Sequence, residues 1–180
     1  MRRLCFHKPY ADFVAKLRVP CGFLLAGVFI WLARPAYAAL SIGVPVSALG
    51  LLLRGWAAGH LVKNERLAVT GPYAYVRNPL YLGTLLIAAG LVIASRRPLL
   101  GLIFGAAFLL IYLPVIELEE QHLWKLFPDY AGYAARVPLL WPRFGPAEKG
   151  RFRWELYLRN REYQALLGFL AGVLVLVWKA

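Results

Sequence analysis

The sequence predicts an all-α integral membrane protein, a single domain over residues 1–180 built as a helical bundle with about five transmembrane helices. Three observations carry this. Hydrophobic residues make up 61% of the chain and the mean hydropathy is +0.58, which is rare in a soluble domain of this length. The apolar residues fall in runs near bilayer length. The basic residues behind the net charge of +12 cluster between those runs, where anionic lipid and membrane topology account for them better than nucleic acid does.

The first span reads Val19 to Ala33 and ends at Arg34-Pro35. The basic residues before it resemble a signal peptide's charged region, but further spans follow, so a retained first helix is expected. The second runs from Tyr37 to Ala58, with Ser41, Gly43, Ser47, Gly50 and Gly55 as small residues that allow close helix packing. The third is Leu80 to Ala94, stopped by Ser95, Arg96, Arg97 and Pro98. The fourth is Leu99 to Leu118. Pro114 inside it should kink the helix and free a carbonyl near the acidic end. A polar stretch from Glu119 to Glu162 holds a short helix-like piece, EEQHLWKLF, a turn at Pro128-Asp129, and an interfacial segment, YAGYAARVPLLWPRF. Residues 144–180 read as a cytoplasmic segment followed by a fifth span, Ala165 to Trp178, which is short for a bilayer.

Charge asymmetry sets the orientation. With a cytoplasmic amino terminus, the far side holds only Arg34, Arg96, Arg97 and Lys179, Arg54 being inside the second span. The same orientation puts the loop TGPYAYVRNPLYLG (Thr70 to Gly83) and the acidic pair Glu119-Glu120 on one cytoplasmic side. Polar loops and adjacent carboxylates beside bilayer-length helices have to line a polar cavity or sit at the water interface. Together they predict a pocket for a polar, positively charged ligand at the membrane edge.

The chain lacks a Walker loop, HExxH, GxSxG and a GxGxxG after a strand. Cys5 and Cys21 form no CxxC or zinc-type spacing, and His7, His60 and His122 are scattered, so no metal site is expected.

Gly71-Pro72-Tyr73, followed by Val76-Arg77-Asn78-Pro79-Leu80-Tyr81-Leu82-Gly83, resembles the GPY…RHPxYxG signature of the isoprenylcysteine carboxyl methyltransferases and their phospholipid N-methyltransferase relatives. Glu119-Glu120, Leu123, Phe127, Tyr130, Tyr133, Arg136-Val137-Pro138 and Pro142 resemble that family's EE…L…FG…Y…Y…RVP…P ending. The resemblance covers about Leu49 to Arg143 and two motifs in order. It implies transfer of a methyl group from S-adenosylmethionine to a lipophilic small molecule or lipid, in a cofactor pocket facing the cytoplasm, with the substrate tail entering from the bilayer. By position it implies cofactor contacts from Glu65, Arg66, Leu67 and Ala68, from Tyr73, from Asn78, Pro79, Leu80 and Tyr81, and from Glu119 or Glu120. It makes Arg77, Asn78 and Glu120 the residues expected at the chemistry. No nucleic-acid partner and no obligate protein partner is expected.

The side chains suit that cofactor. A glutamate can pair with its ammonium or accept from its ribose hydroxyls. Tyr73 or Tyr81 can lie against the adenine or the sulfonium. Arg77 can hold its carboxylate or, equally, a lipid phosphate. Asn78 stands where the family usually has His, so it can hydrogen-bond but cannot act as a base. Val115 stands where the eukaryotic prenylcysteine enzymes carry an Arg linked to substrate binding. Arg54 offers either a replacement substrate group or a side chain snorkelling to the interface. The rival readings are an NADPH-dependent membrane reductase of the sterol type, with Lys63, Arg66 and Arg77 as phosphate groups, and a non-catalytic lipid-binding protein.

Overall fold

The structure, a computed structural model, describes residues 6–143, 145 and 150–180. Cys5, and Arg2, Arg3 and Lys149 among the basic residues of the cytoplasmic side, lie outside them. Among the described residues every regular element is helical. In chain order these are α1 (Lys8–Leu32), α2 (Tyr37–Ala58), a 3₁₀ turn (Gly71–Ala74), α3 (Pro79–Ser95) and α4 (Pro98–Ala107). A π-helical turn (Phe108–Tyr112), α5 (Leu113–Leu126), α6 (Tyr130–Arg136), α7 (Trp154–Arg159) and α8 (Tyr163–Lys179) complete the chain. Among the described residues, three helices are long and apolar enough to cross a membrane: α1, α2 and the continuous run Pro98–Leu126. The apolar helices α3 and α8 have 17 residues each, about 25 Å at 1.5 Å per residue. The protein is an integral membrane helical bundle.

Local chemistry explains the boundaries. Pro79 and Pro98 open their helices, where a missing N–H breaks no intrahelical bond. Arg96 closes α3 in the left-handed region with φ 53°. Pro114 cannot donate to Leu110 O, its partner four residues back. The helix absorbs this as the π turn immediately upstream, and the freed Leu110 carbonyl accepts from Tyr10 Oη at 2.6 Å. The expected kink is thus a π turn, and its freed carbonyl is taken by α1.

Two expectations shift. The first helix starts at Lys8 rather than Val19, because hydropathy reads only its lipid-facing part. EEQHLWKLF is the end of α5 rather than a separate piece, since nothing interrupts the backbone between Leu118 and Glu119.

The tightest seam joins α2 to α3. A Cβ on Gly43 would stand 2.3 Å from Gly90 O, and one on Gly50 2.5 Å from Gly83 O. Ser47 Oγ donates to Ile87 O at 2.9 Å across the same seam. Helix α8 runs the length of the bundle. Glu162, at its start, pairs with Arg54 near the end of α2. Leu176, near its end, lies in the buried cluster of Phe29, Leu40 and Leu100 at the opposite pole. The functional residues all collect at the first pole.

Candidate functional site

Loop 59–78, the start of α3, the end of α5 and the chain from α6 to Arg143 are tied together by backbone hydrogen bonds. Arg77 N–H donates to Pro138 O at 2.9 Å, Asn78 N–H to Leu139 O at 3.2 Å and Arg143 N–H to Tyr75 O at 3.0 Å. Tyr133 Oη donates to Tyr73 O at 2.8 Å. Gly71, at φ +61°, packs its Cα against His60, where a Cβ would meet the imidazole at 2.7 Å. The two motifs singled out in the sequence therefore form one body.

The adjacent glutamates part company, as residues about 100° apart on a helix must. Glu120 points behind the site. Its Oε1 lies 3.0 Å from Arg77 Nε and accepts from Tyr130 Oη at 2.9 Å. Arg77 is buried and also donates to Ala134 O at 3.4 Å. Glu119 points forward, accepting from Tyr81 Oη at 2.9 Å and Arg18 Nη1 at 3.4 Å. Burial, together with Tyr133, Glu162 and Glu119 nearby, holds the Tyr73 phenol well above its ordinary pKa. Burial and then Glu120 do the same for Tyr130, and burial does it for Tyr133. All three stay neutral hydrogen-bonding groups at physiological pH.

In front of Glu119 lies a cavity of about 1030 Å³. Arg66, Leu67, Ala68 and Tyr73 wall it on the loop side. Arg77, Asn78, Pro79, Leu80 and Tyr81 wall it at the start of α3, and Arg54 lines it from α2. From α5, Val115, Leu118, Glu119, His122 and Leu123 face it at helical spacing. Two predicted contacts lie elsewhere: Glu120 sits behind the wall, and Glu65 pairs with Arg159 on the surface. Among the described residues, Lys63 and Arg66 are the cavity's unpaired cations, exposed on its loop rim.

A second, apolar cavity of about 400 Å³ lies between α1, α3, the π turn and α8. Gly22, Ala26, Thr84 and Tyr112 border both, so the polar cavity leads into the apolar one. The sequence reading missed Arg18, Asn160 and Glu162 as wall residues. Asn160 Nδ2 donates to Ala58 O and Leu61 O, locking the start of the carboxy-terminal helices onto α2. Glu162 left a usable signal: a lone carboxylate just before an apolar helix, in a chain whose second span carries an intramembrane arginine. Among the described residues no three His, Cys, Asp or Glu come together as a metal site.

Fold and site define an integral membrane protein in which a polar cavity adjoins an apolar one. The chain belongs to the phospholipid methyltransferase family, whose pattern matches residues 17–130. It is 32% identical to the cobalt-zinc-cadmium resistance protein of Cupriavidus metallidurans over 121 residues, 66% of this chain and 54% of that one. It is 32% identical to the nickel-cobalt-cadmium resistance protein of Alcaligenes xylosoxydans xylosoxydans over 115 residues, 63% and 53% of the two chains. It is 28% identical to the protein-S-isoprenylcysteine O-methyltransferase of Schizosaccharomyces pombe over 137 residues, 73% and 58%. The chain spans about half the length of the curated relatives it matches. No solved structure matches it.

Proposed function

We propose that the protein transfers a methyl group from S-adenosylmethionine to a lipophilic acceptor, a lipid or an isoprenoid-linked molecule, at the cytoplasmic face of the membrane. Family membership and the isoprenylcysteine methyltransferase relative support the reaction class. The observation that carries the reading is the forward-facing Glu119–Tyr81 group in a polar cavity that opens into an apolar one.

The residues present fit the cofactor. Glu119 supplies a carboxylate for its ammonium, and Lys63 and Arg66 supply unpaired cations for its carboxylate. Leu67, Leu123 and Phe127 offer apolar surface for its adenine. When bound, S-adenosylmethionine supplies an activated methyl on sulfur, which leaves to the acceptor's lone pair while the S–C bonding electrons stay on sulfur as a neutral thioether. The chain contributes orientation. Asn78 and Pro79 fix the first turn of α3, and Arg77 and Glu120 brace it from behind. Tyr81 and Tyr112, whose rings meet edge to face at 6.3 Å, stand where the polar cavity narrows toward the apolar one. Holding two reactants in line supplies much of the acceleration in such a displacement. The basic loops and the sparse charge of the far pole support a cytoplasmic cavity.

The test is calorimetric titration of S-adenosylhomocysteine into purified protein. The wild type is expected to bind saturably. Glu119→Gln should weaken binding tenfold or more, as expected for losing a charge-assisted bond, without shifting the melting temperature. A folded wild type that takes no S-adenosylhomocysteine would sink the proposal.

A further inference from the structure

Arg54 and Glu162 stand where the two cavities meet. Thr84 borders both, and its Oγ1 accepts from Arg54 Nη1 at 2.6 Å. Glu162 leads into α8, whose Gly168, Ala171 and Gly172 then wall the apolar cavity. The pair is bidentate: Nε donates to Oε1 at 2.5 Å and Nη2 to Oε2 at 3.0 Å. Its side chains are only 22% and 7% exposed. A guanidinium has five N–H groups. Besides the two given to Glu162, Nη1 gives one to Leu80 O at 3.2 Å and one to Thr84. A single N–H is left for anything else.

The guanidiniums around the join are therefore paired, Arg54 with Glu162 and Arg18 with Glu119, and the carboxylate nearest α8 is Glu162. On the α5 side, Tyr112, which borders both cavities, and Val115 are uncharged. The unpaired cations, Lys63 and Arg66, belong to the exposed loop rim. An amphiphile with its tail in the apolar cavity puts its head at this join. An anionic head would be stripped of water beside Glu162, with Arg54 saturated and the next guanidinium, Arg18, held by Tyr81 Oη at 3.2 Å and by Glu119 at 3.4 Å. A neutral head escapes that repulsion, and a cationic head gains from the carboxylate.

We infer that the Arg54–Glu162 pair determines acceptor specificity: it admits lipophiles with uncharged or cationic heads and turns away carboxylates and phosphates. The inference rests on the methyl-transfer reading for the ligand's role as acceptor and narrows the acceptor class. It also gives Arg54 a different part from direct anchoring of a substrate anion.

The probe is a matched pair of farnesyl thioethers, anionic S-farnesylthioacetate and its uncharged amide. Each is titrated without cofactor into the full chain in neutral-lipid nanodiscs, with binding read by native mass spectrometry. The amide should bind the wild type at least tenfold more tightly. Glu162→Gln leaves Arg54 unneutralised, so the preference should reverse toward the thioacetate. The double variant Arg54→Gln/Glu162→Gln removes both charges and should restore preference for the amide. General damage to the fold would weaken both probes alike and could not produce reversal followed by restoration. Equal affinity of the wild type for the two heads, or preference for the thioacetate, overturns the inference. S-adenosylhomocysteine titrated into the same discs separates the two proposals: cofactor binding without head preference overturns this inference alone, while absent cofactor binding overturns the methyl-transfer reading.

Discussion

The α2–α3 seam and the α1–α8 side of the bundle are both rich in glycine, and they use it in opposite ways. In the seam, glycine lets two backbones touch: Gly43 and Gly90 each leave 2.3 Å between a would-be Cβ and the other's carbonyl oxygen. On the other side, Cβ atoms added at Gly22, Gly27, Gly168 or Gly172 meet nothing within 4 Å. There the missing side chains leave space, and Gly22, Gly168 and Gly172 border the apolar cavity. In lipid, helix association gains little from hydrophobicity and depends on close packing. The protein thus concentrates its packing in one seam, which fixes the start of α3, and leaves an apolar cavity on the opposite side.

The contrast breaks most visibly at Gly43. Gly43→Leu would drive a side chain into Gly90 O and the backbone N of Ala94, neither of which can swing aside. A loss of more than about 4 kcal/mol is expected, beyond ordinary overpacking because backbone has to move. The readout is the yield of monodisperse protein in detergent and its melting curve. A Gly43→Leu protein that melts like the wild type would mean the seam is not the rigid half.

A smaller but sharper test lies in the two glutamates. Glu120 belongs to the fixed half and Glu119 to the open one. Glu120→Gln leaves Arg77, only 5% exposed, without its carboxylate. Removing one partner of a buried pair costs about 3–5 kcal/mol. The thermal midpoint should fall, with cofactor affinity dropping only as much as the loss of folded protein explains. If Glu120→Gln instead kept its midpoint and lost cofactor affinity, the assignment of forward and rear glutamates would be reversed.

Much of this was legible in the sequence, for identifiable reasons. Helix α2 was read at its observed bounds because Pro35 precedes it and Gly59 follows it. The juxtaposition of loop 70–83 with the acidic pair followed from topology, since both had to lie on the basic side. What escaped were pairings across long separations. Arg54 meets Glu162 108 positions away, and Arg18 meets Glu119 101 positions away. A lone carboxylate before an apolar helix flags Glu162, but no local pattern names the partner of either arginine. The choice between Glu119 and Glu120 also escaped, because it depends on which face of α5 meets Arg77. The start of α1 escaped because the turn before Val19 carries Lys16 and Arg18, of which Arg18 lines the cavity, and hydropathy cannot tell a charged helical turn from a loop.

The mildest test probes the loose half directly. Gly172→Leu puts a side chain into open space, so nothing in the backbone has to move and the stability should stay within about 0.5 kcal/mol of wild type, as for substitutions away from packed features. The new isobutyl group would project into the cavity that Gly172 borders, replacing volume an apolar tail needs. Changes of one to a few methylenes in an apolar pocket are worth about 1–3 kcal/mol, so farnesyl amphiphiles should bind about tenfold more weakly while S-adenosylhomocysteine binds as before. That combination, intact fold and cofactor site with a weakened tail, is what a two-compartment cavity requires. If lipophile affinity stayed at the wild-type value, the tail would lie elsewhere, and the glycines of α1 and α8 would only face lipid.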